Sequence, residues 1–299
     1  MSDTNPDSEL DHPSGLVPDG PYEGAYETDL GALYKGDCLP WLRRLPDNSV
    51  DTVFADPPFN LDKDYEGGVS DDRAKEDYLR WSRHWLTQAT RVLKPGGALL
   101  VFNLPEWLTH YTGWLYEEGM RFENWIACRM PKGFPPPNNL ASAHYGCLYT
   151  TKQGGEKTFN KIYVPIPTCR HCGGEIRDYG GHRKKLNERG LNMMDVFNAP
   201  EEVWTDVSTP QPPGGGWTEA EDLWDDIPPV RHGKYKHRGS NELAPIMMER
   251  LISMTTNEGD LVVDPFGGSG TTYVAAEKHD RRWLGIELGR TEATVKDLE

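Results

Sequence analysis

Long hydrophobic runs, cysteine and basic charge are all scarce in this chain. Its 299 residues contain no stretch of 18 apolar residues, and the mean hydropathy is −0.69, so no segment is expected to span a bilayer. The N-terminus, Met1-Ser2-Asp3-Thr4, lacks the basic region and apolar core of a signal peptide. Five scattered cysteines are too few for a disulfide scaffold and fit a reducing cytoplasm. Thirty-two Lys and Arg against 47 Asp and Glu leave a net charge of −15, the wrong sign overall for a polyanion partner. No basic residue precedes Lys35, whereas Asp3, Asp7, Glu9, Asp11, Asp19, Glu23, Glu27 and Asp29 all do. Residues 1–30, with their Pro and Gly, are therefore expected to form an acidic disordered tail.

Two motifs stand out against that background. The first is Val53-Phe54-Ala55-Asp56-Pro57-Pro58-Phe59-Asn60, an apolar strand running into acid, proline, proline and an aromatic ring. Two prolines fix φ near −65° and remove two backbone donors, leaving carbonyls that only accept. A strand-end carboxylate, rigid acceptors and a flat ring together suit the amino group and face of an extruded nucleobase. Alone, the same residues read equally well as a strand ending in a proline turn.

The second motif is Leu261-Val262-Val263-Asp264-Pro265-Phe266-Gly267-Gly268-Ser269-Gly270-Thr271-Thr272, followed by helix-prone sequence and then by a strand, Trp283-Leu284-Gly285-Ile286, that ends in Glu287. A glycine turn opening a helix lets backbone approach a ligand, and an acid at the next strand tip suits ribose hydroxyls. The turn lacks Gly-x-Gly-x-x-Gly spacing, which argues against a dinucleotide, and no Lys follows Gly270, which excludes a Walker loop. Asp264 would repel phosphate and attract an amine. S-adenosylmethionine, with an amine, a ribose and no phosphate, fits these demands.

The pair of motifs, Asp-Pro-Pro-Phe and Asp-Pro-Phe-Gly-Gly-Ser-Gly-Thr-Thr, resembles the amino-methyltransferases of DNA, in the permuted arrangement that places the tetrad before the cofactor loop. The likeness spans roughly residues 31–152 and 220–290 and includes Gly36-Asp37-Cys38-Leu39 and Leu93-Lys94-Pro95-Gly96-Gly97. The chain departs from it at Arg238-Gly239-Ser240-Asn241-Glu242-Leu243, where many relatives carry His-Pro-x-x-Lys-Pro. The resemblance implies catalytic roles for Asp56, Pro57, Pro58 and Phe59. It implies cofactor contacts from Asp37, Asp264, Pro265, Phe266, Gly267, Gly268, Ser269, Gly270, Thr271, Thr272 and Glu287. Asp37 would sit near the adenine amine, Asp264 would meet the methionine amine, and Glu287 would hold the ribose. The implied activity is adenine-N6 methylation of double-stranded DNA, because an Asp-led tetrad is commoner among N6 enzymes. Cytosine-N4 methylation and a catalytically silent DNA-binding module remain as alternatives. A homodimer and a cognate restriction endonuclease are partners compatible with the family, and the cytoplasm is the expected compartment.

The pattern of apolar segments gives strands at 32–35, 50–55, 98–102, 122–129, 144–151, 261–264 and 283–286, with helices at 75–93, 106–118, 242–254 and 271–278. That alternation implies a doubly wound, mostly parallel, seven-stranded Rossmann-like α/β sheet. The expected organisation is a catalytic half at 31–155, a target-recognition insertion at 156–238 and a cofactor-binding half at 239–299. The insertion holds two basic clusters, Arg170, Arg177, Arg183, Lys184, Lys185 and Arg189, then Arg231, Lys234, Lys236 and Arg238, which suit phosphate contact. Cys169 and Cys172 form half of a zinc knuckle, with His171 and His182 nearby. No second such pair exists, so no metal site is assigned.

Overall fold

The computed structural model describes residues 12–61, 64–65, 69–70, 72–129, 138, 144–164, 191–192, 243–289 and 291–298. Cys169, His171, Cys172, His182, both basic clusters and nearly all of the 156–238 insertion lie outside the described residues. In chain order the elements are β1 Glu23–Glu27, β2 Gly31–Lys35, α1 Cys38–Leu42, β3 Val50–Ala55, β4 Asp64–Tyr65, β5 Val69–Ser70, α2 Lys75–Val92, β6 Leu93–Asn103, α3 Pro105–Glu117, β7 Met120–Arg129, β8 His144–Lys152, β9 Tyr163–Val164, β10 Leu191–Asn192, α4 Pro245–Thr255, β11 Leu261–Asp264, α5 Thr271–Lys278, β12 Arg282–Glu287 and α6 Glu292–Leu298.

The main sheet has eight strands in the order β1-β2-β12-β11-β3-β6-β8-β7. From β2 to β6 every neighbouring pair is parallel, and antiparallel strands close both ends. β11 is buried along its whole length and β3 nearly so, as expected of parallel strands covered on both faces. The last two strands of the sequence insert between β2 and β3, so the two chain halves share one sheet. Helices α1, α2 and α3 pack on one face around Trp41, Trp85 and Leu108. Helices α4 and α5 pack on the other around Met248, Leu251 and Tyr273. The result is a three-layer α/β/α stack. Among the described residues no helix is long and apolar enough to cross a membrane.

Local chemistry explains the elements. Helix α2 buries Tyr78, Ser82, Trp85, Leu86, Ala89 and Val92, one stripe at helical spacing, with Glu76 and Asp77 in its first turn and Arg91 in its last. It stops at Val92, a residue short of the sequence expectation, because Leu93 turns directly into β6. Helices α3 and α4 both start on proline at the first turn, where the missing N–H costs nothing; that choice moves the start of α4 from 242 to Pro245. A stack of Tyr273 on Trp283, centroids 4.6 Å apart, fills the space left by Gly31 and Gly285.

The sheet corrects one expectation. Within the 1–30 stretch, residues 12–30 are ordered, with a 3-10 turn at Pro13–Leu16 and the eighth strand, β1. The acidic side chains Glu23 and Glu27 stay exposed while Ala25 and Tyr26 pack partly on the core, and the Thr28 hydroxyl accepts from the backbone of Leu30 and Gly31 in the turn to β2. This hairpin covers the edge of β2 that a seven-stranded sheet would leave open.

Candidate active site

Four carboxyl groups stand along one edge of the sheet. Asp37 follows β2, Glu287 ends β12, Asp264 ends β11 and Asp56 follows β3, and these four parallel strands are neighbours in that order. In open α/β sheets the crevice outside the carboxyl ends of the strands is where ligands bind. The two distant motifs thus meet, because β11 and β3 pair in parallel through Val262 with Thr52 and Val263 with Val53.

The cofactor-side acids are held by the turns they border. Asp37 caps α1 by accepting from the Leu39 amide at 2.8 Å through one oxygen. Asp264, only 2% exposed, accepts from the Phe266 amide at 2.9 Å and the Thr272 hydroxyl at 2.6 Å. Burial lifts its pKa to about 7, against the lowering effect of these two hydrogen bonds, and the Glu287 charge adds to the rise. Glu287 accepts from the Gly268 amide at 2.8 Å and the Gly289 amide at 2.6 Å, clamping the glycine turn to the tip of β12. Both acids keep further lone pairs for a ligand. Gly268 and Gly270 have positive φ, and a Cβ on Gly270 would lie 2.6 Å from the Thr294 methyl. The Thr294 hydroxyl in turn donates to the Gly268 carbonyl at 2.7 Å, so α6 braces the turn from behind. Ser269 and Thr271 exchange a hydroxyl hydrogen bond of 2.9 Å, and Pro265 is buried beneath. Phe266 meets Trp81 and Trp85 edge-on at 5.8 and 5.2 Å, and the Arg73 guanidinium covers Trp81 at 4.7 Å.

On the other side lies the tetrad. Burial, and then the neighbouring Asp264 charge, push the Asp56 carboxyl well above the usual carboxylate range. Among the described residues neither that carboxyl nor the Pro57 carbonyl has a hydrogen-bond partner, and Asp56 keeps partial access to solvent. The Pro58 carbonyl accepts from the Tyr78 hydroxyl at 2.6 Å, and the Phe59 carbonyl from the Trp107 indole at 2.8 Å. The Phe59 ring joins Phe102 and Tyr145 in an aromatic cluster with centroids 5.2 to 6.1 Å apart. Asn60, at φ 58°, clasps the backbone of Arg73 through both ends of its amide, at 2.8 Å each. The residues that support the tetrad, Tyr78, Trp107, Phe102 and Tyr145, escaped the sequence reading because aromatic residues at helix or strand spacing look like ordinary core. Thr294 escaped it because α6 carries no signal of its own.

Among the described residues no group of three or more His, Cys, Asp or Glu is placed to hold a metal ion. The acids, amide donors and open glycine turn fit a nucleoside bearing an amine.

The DNA methylase family model matches residues 50–295, so the chain belongs to the DNA methylase family of N6 and N4 methyltransferases. Type II methyltransferase M.BamHI of Bacillus amyloliquefaciens is 45% identical over 274 residues, covering 92% of this chain. The chain spans 58% of the length of that relative. DNA adenine methyltransferase YhdJ of Escherichia coli K12 is 28% identical over 270 residues, covering 88% of this chain and 80% of YhdJ. The fold is shared with the M1.HpyAVI–SAM complex, at a TM-score of 0.55 and 18% identity over 90% of this chain and 100% of that one. It is shared equally with the cytosine-N4-specific PvuII DNA methyltransferase, at 0.57 and 19% over 94% of this chain and 89% of that one.

Proposed function

We propose that this protein methylates the N6 amine of adenine in double-stranded DNA, on a base turned out of the helix, with S-adenosylmethionine as donor. One observation carries the reading: the four strand-end carboxyl groups in a single row, with the double-proline corner at its end. Asp37 is assigned to the adenine amine of the cofactor, Glu287 to its ribose and Asp264 to the negative field that attracts its methionine amine. Phe266 lines the pocket, and Pro265, Gly267, Gly268, Ser269, Gly270, Thr271 and Thr272 shape the turn that approaches it.

S-adenosylmethionine supplies an electrophilic methyl group when bound. The protein supplies position. The target nitrogen is a poor nucleophile because its lone pair is delocalised into the ring. The Asp56 carboxyl and the Pro57 carbonyl, neither with a hydrogen-bond partner among the described residues, accept hydrogen bonds from its two N–H groups, which favours a tetrahedral nitrogen with its lone pair directed outward. Pro58 keeps the corner rigid, and Phe59 stacks on the base. Extrusion costs a few kcal/mol, and stacking on an aromatic ring returns about 1–3 kcal/mol. The insertion at 156–238, with its basic clusters, is assigned to target recognition. The reading places the enzyme in the cytoplasm and is compatible with a homodimer, and with action either alone or beside a restriction endonuclease of matching specificity.

Cytosine N4 presents the same amine to the same two acceptors and is the second reading. Incubation of unmethylated genomic DNA with the protein and tritiated S-adenosylmethionine tests both. Label in acid-precipitable DNA is expected. Cofactor binding in calorimetry without any label in DNA would point instead to a silent module.

A further inference from the structure

We propose that Tyr78 is a positioning residue for the tetrad. By donating to the Pro58 carbonyl it pins the double-proline corner, which holds Asp56 and the Pro57 carbonyl where the target amine meets them. The proposal rests on the methyl-transfer reading above and deepens it.

The hydrogen bonds around Tyr78 run in one direction. Its hydroxyl accepts from the Asn103 side-chain amide at 3.1 Å and from the Tyr111 hydroxyl at 3.2 Å. With Tyr111 donating to Tyr78, the hydroxyl of Ser82, 3.0 Å away, is the one that donates to Tyr111. Asn103 is fixed in orientation because its oxygen accepts from the Leu104 amide at 2.7 Å. Both lone pairs of the Tyr78 hydroxyl are thus filled, and its single proton goes to the one acceptor left, the Pro58 carbonyl at 2.6 Å. Tyr78, Ser82, Asn103 and Tyr111 are each no more than 1% exposed, so water does not compete. Aligned donors in such an interior polarise one another and hold their direction.

The direction matters because the carbonyl that receives this proton belongs to the same tight corner as Asp56, two residues along the chain. Without this bond the corner would be free to shift, and Asp56 and Pro57 with it. Trp107 treats the next carbonyl, that of Phe59, in the same way. Of the three consecutive carbonyls of the corner, only that of Pro57 is left open among the described residues.

The test is methyl transfer from tritiated S-adenosylmethionine to unmethylated genomic DNA, at saturating concentrations of both, by wild type, Tyr78→Phe and Tyr111→Phe. Tyr78→Phe is expected to lose about 10- to 100-fold in kcat, the scale of a small misplacement of reacting groups. Its dissociation constant for S-adenosylmethionine and its circular dichroism should match wild type. Tyr111→Phe, which keeps the Tyr78 hydroxyl but removes the donor that directs it, should lose several-fold in kcat with cofactor binding unchanged; it serves alone if Tyr78→Phe does not fold. A folded Tyr78→Phe or Tyr111→Phe protein with wild-type kcat, or a loss confined to cofactor binding, overturns the proposal. A wild-type protein that labels no DNA overturns the methyl-transfer reading itself, so the two failures are distinguishable.

Discussion

Asp56 and Asp264 end neighbouring strands, yet they serve different ends. Asp264 has both oxygens committed to its own turn, while Asp56 has no partner among the described residues. Replacing Asp56 by Ala therefore leaves the cofactor turn intact. Turnover should fall by about 100-fold or more, the scale seen when a group stabilising the transition state is removed, with calorimetric binding of S-adenosylmethionine little changed. Asp264 makes a pH prediction. Its folded pKa of about 7 lies above the ordinary aspartate value of about 3.9, so the folded protein holds a proton there that the unfolded chain has lost. This favours the empty fold fully below about pH 4 and is lost as pH rises to about 7. An attractive charge for the cofactor amine appears over the upper part of that same range. Affinity for S-adenosylmethionine should rise between pH 5.5 and 7, where an α-amine of ordinary pKa stays protonated, and Asp264→Asn should flatten the rise. A wild-type affinity independent of pH there would contradict the account. At this scale the sequence grouped acids that the sheet brings to one edge, since each stands at or just past the end of a strand. It could not show that Glu287 clamps Gly268, because that bond depends on turn geometry.

Helix α2 is the element on which the site leans. One stripe of it supplies Tyr78 to the tetrad, and Trp81 and Trp85 to the face behind Phe266. Its apolar spacing made the helix legible, but spacing alone says only that the stripe is buried. Strand β1 was illegible for the opposite reason: acidic composition masked a short hairpin whose turn is closed by the Thr28 hydroxyl and by the Thr28 amide donating to the Gly31 carbonyl. Close approach between elements also sets limits. A Cβ on Gly285 of β12 would stand 2.1 Å from the Tyr273 hydroxyl of α5. Gly285→Ala should therefore cost about 1–3 kcal/mol through overpacking, read as a lower urea midpoint at unchanged slope.

In the whole molecule, chain order and sheet order disagree in a way that binds the two halves together. β11 and β12 arrive last and lie in the middle of the sheet. A chain ended at residue 256 would lose both, leaving β2 and β3 with bare inner edges. Such a truncation should show no cooperative melting transition by circular dichroism; a native-like transition would contradict the shared-sheet architecture. The doubly wound class was legible from the alternation of strands and helices. The central insertion of the last two strands has no local signal in the sequence, because no local pattern encodes which strands become neighbours.

The most direct test is mass spectrometry of nucleosides from unmethylated DNA treated with the protein and S-adenosylmethionine carrying a trideuterated methyl group. Trideuterated N6-methyladenine from wild type, reduced about 100-fold or more with Asp56→Ala, is the expected result. Label on ring carbon of cytosine, or equal amine methylation by the two proteins, would contradict the account.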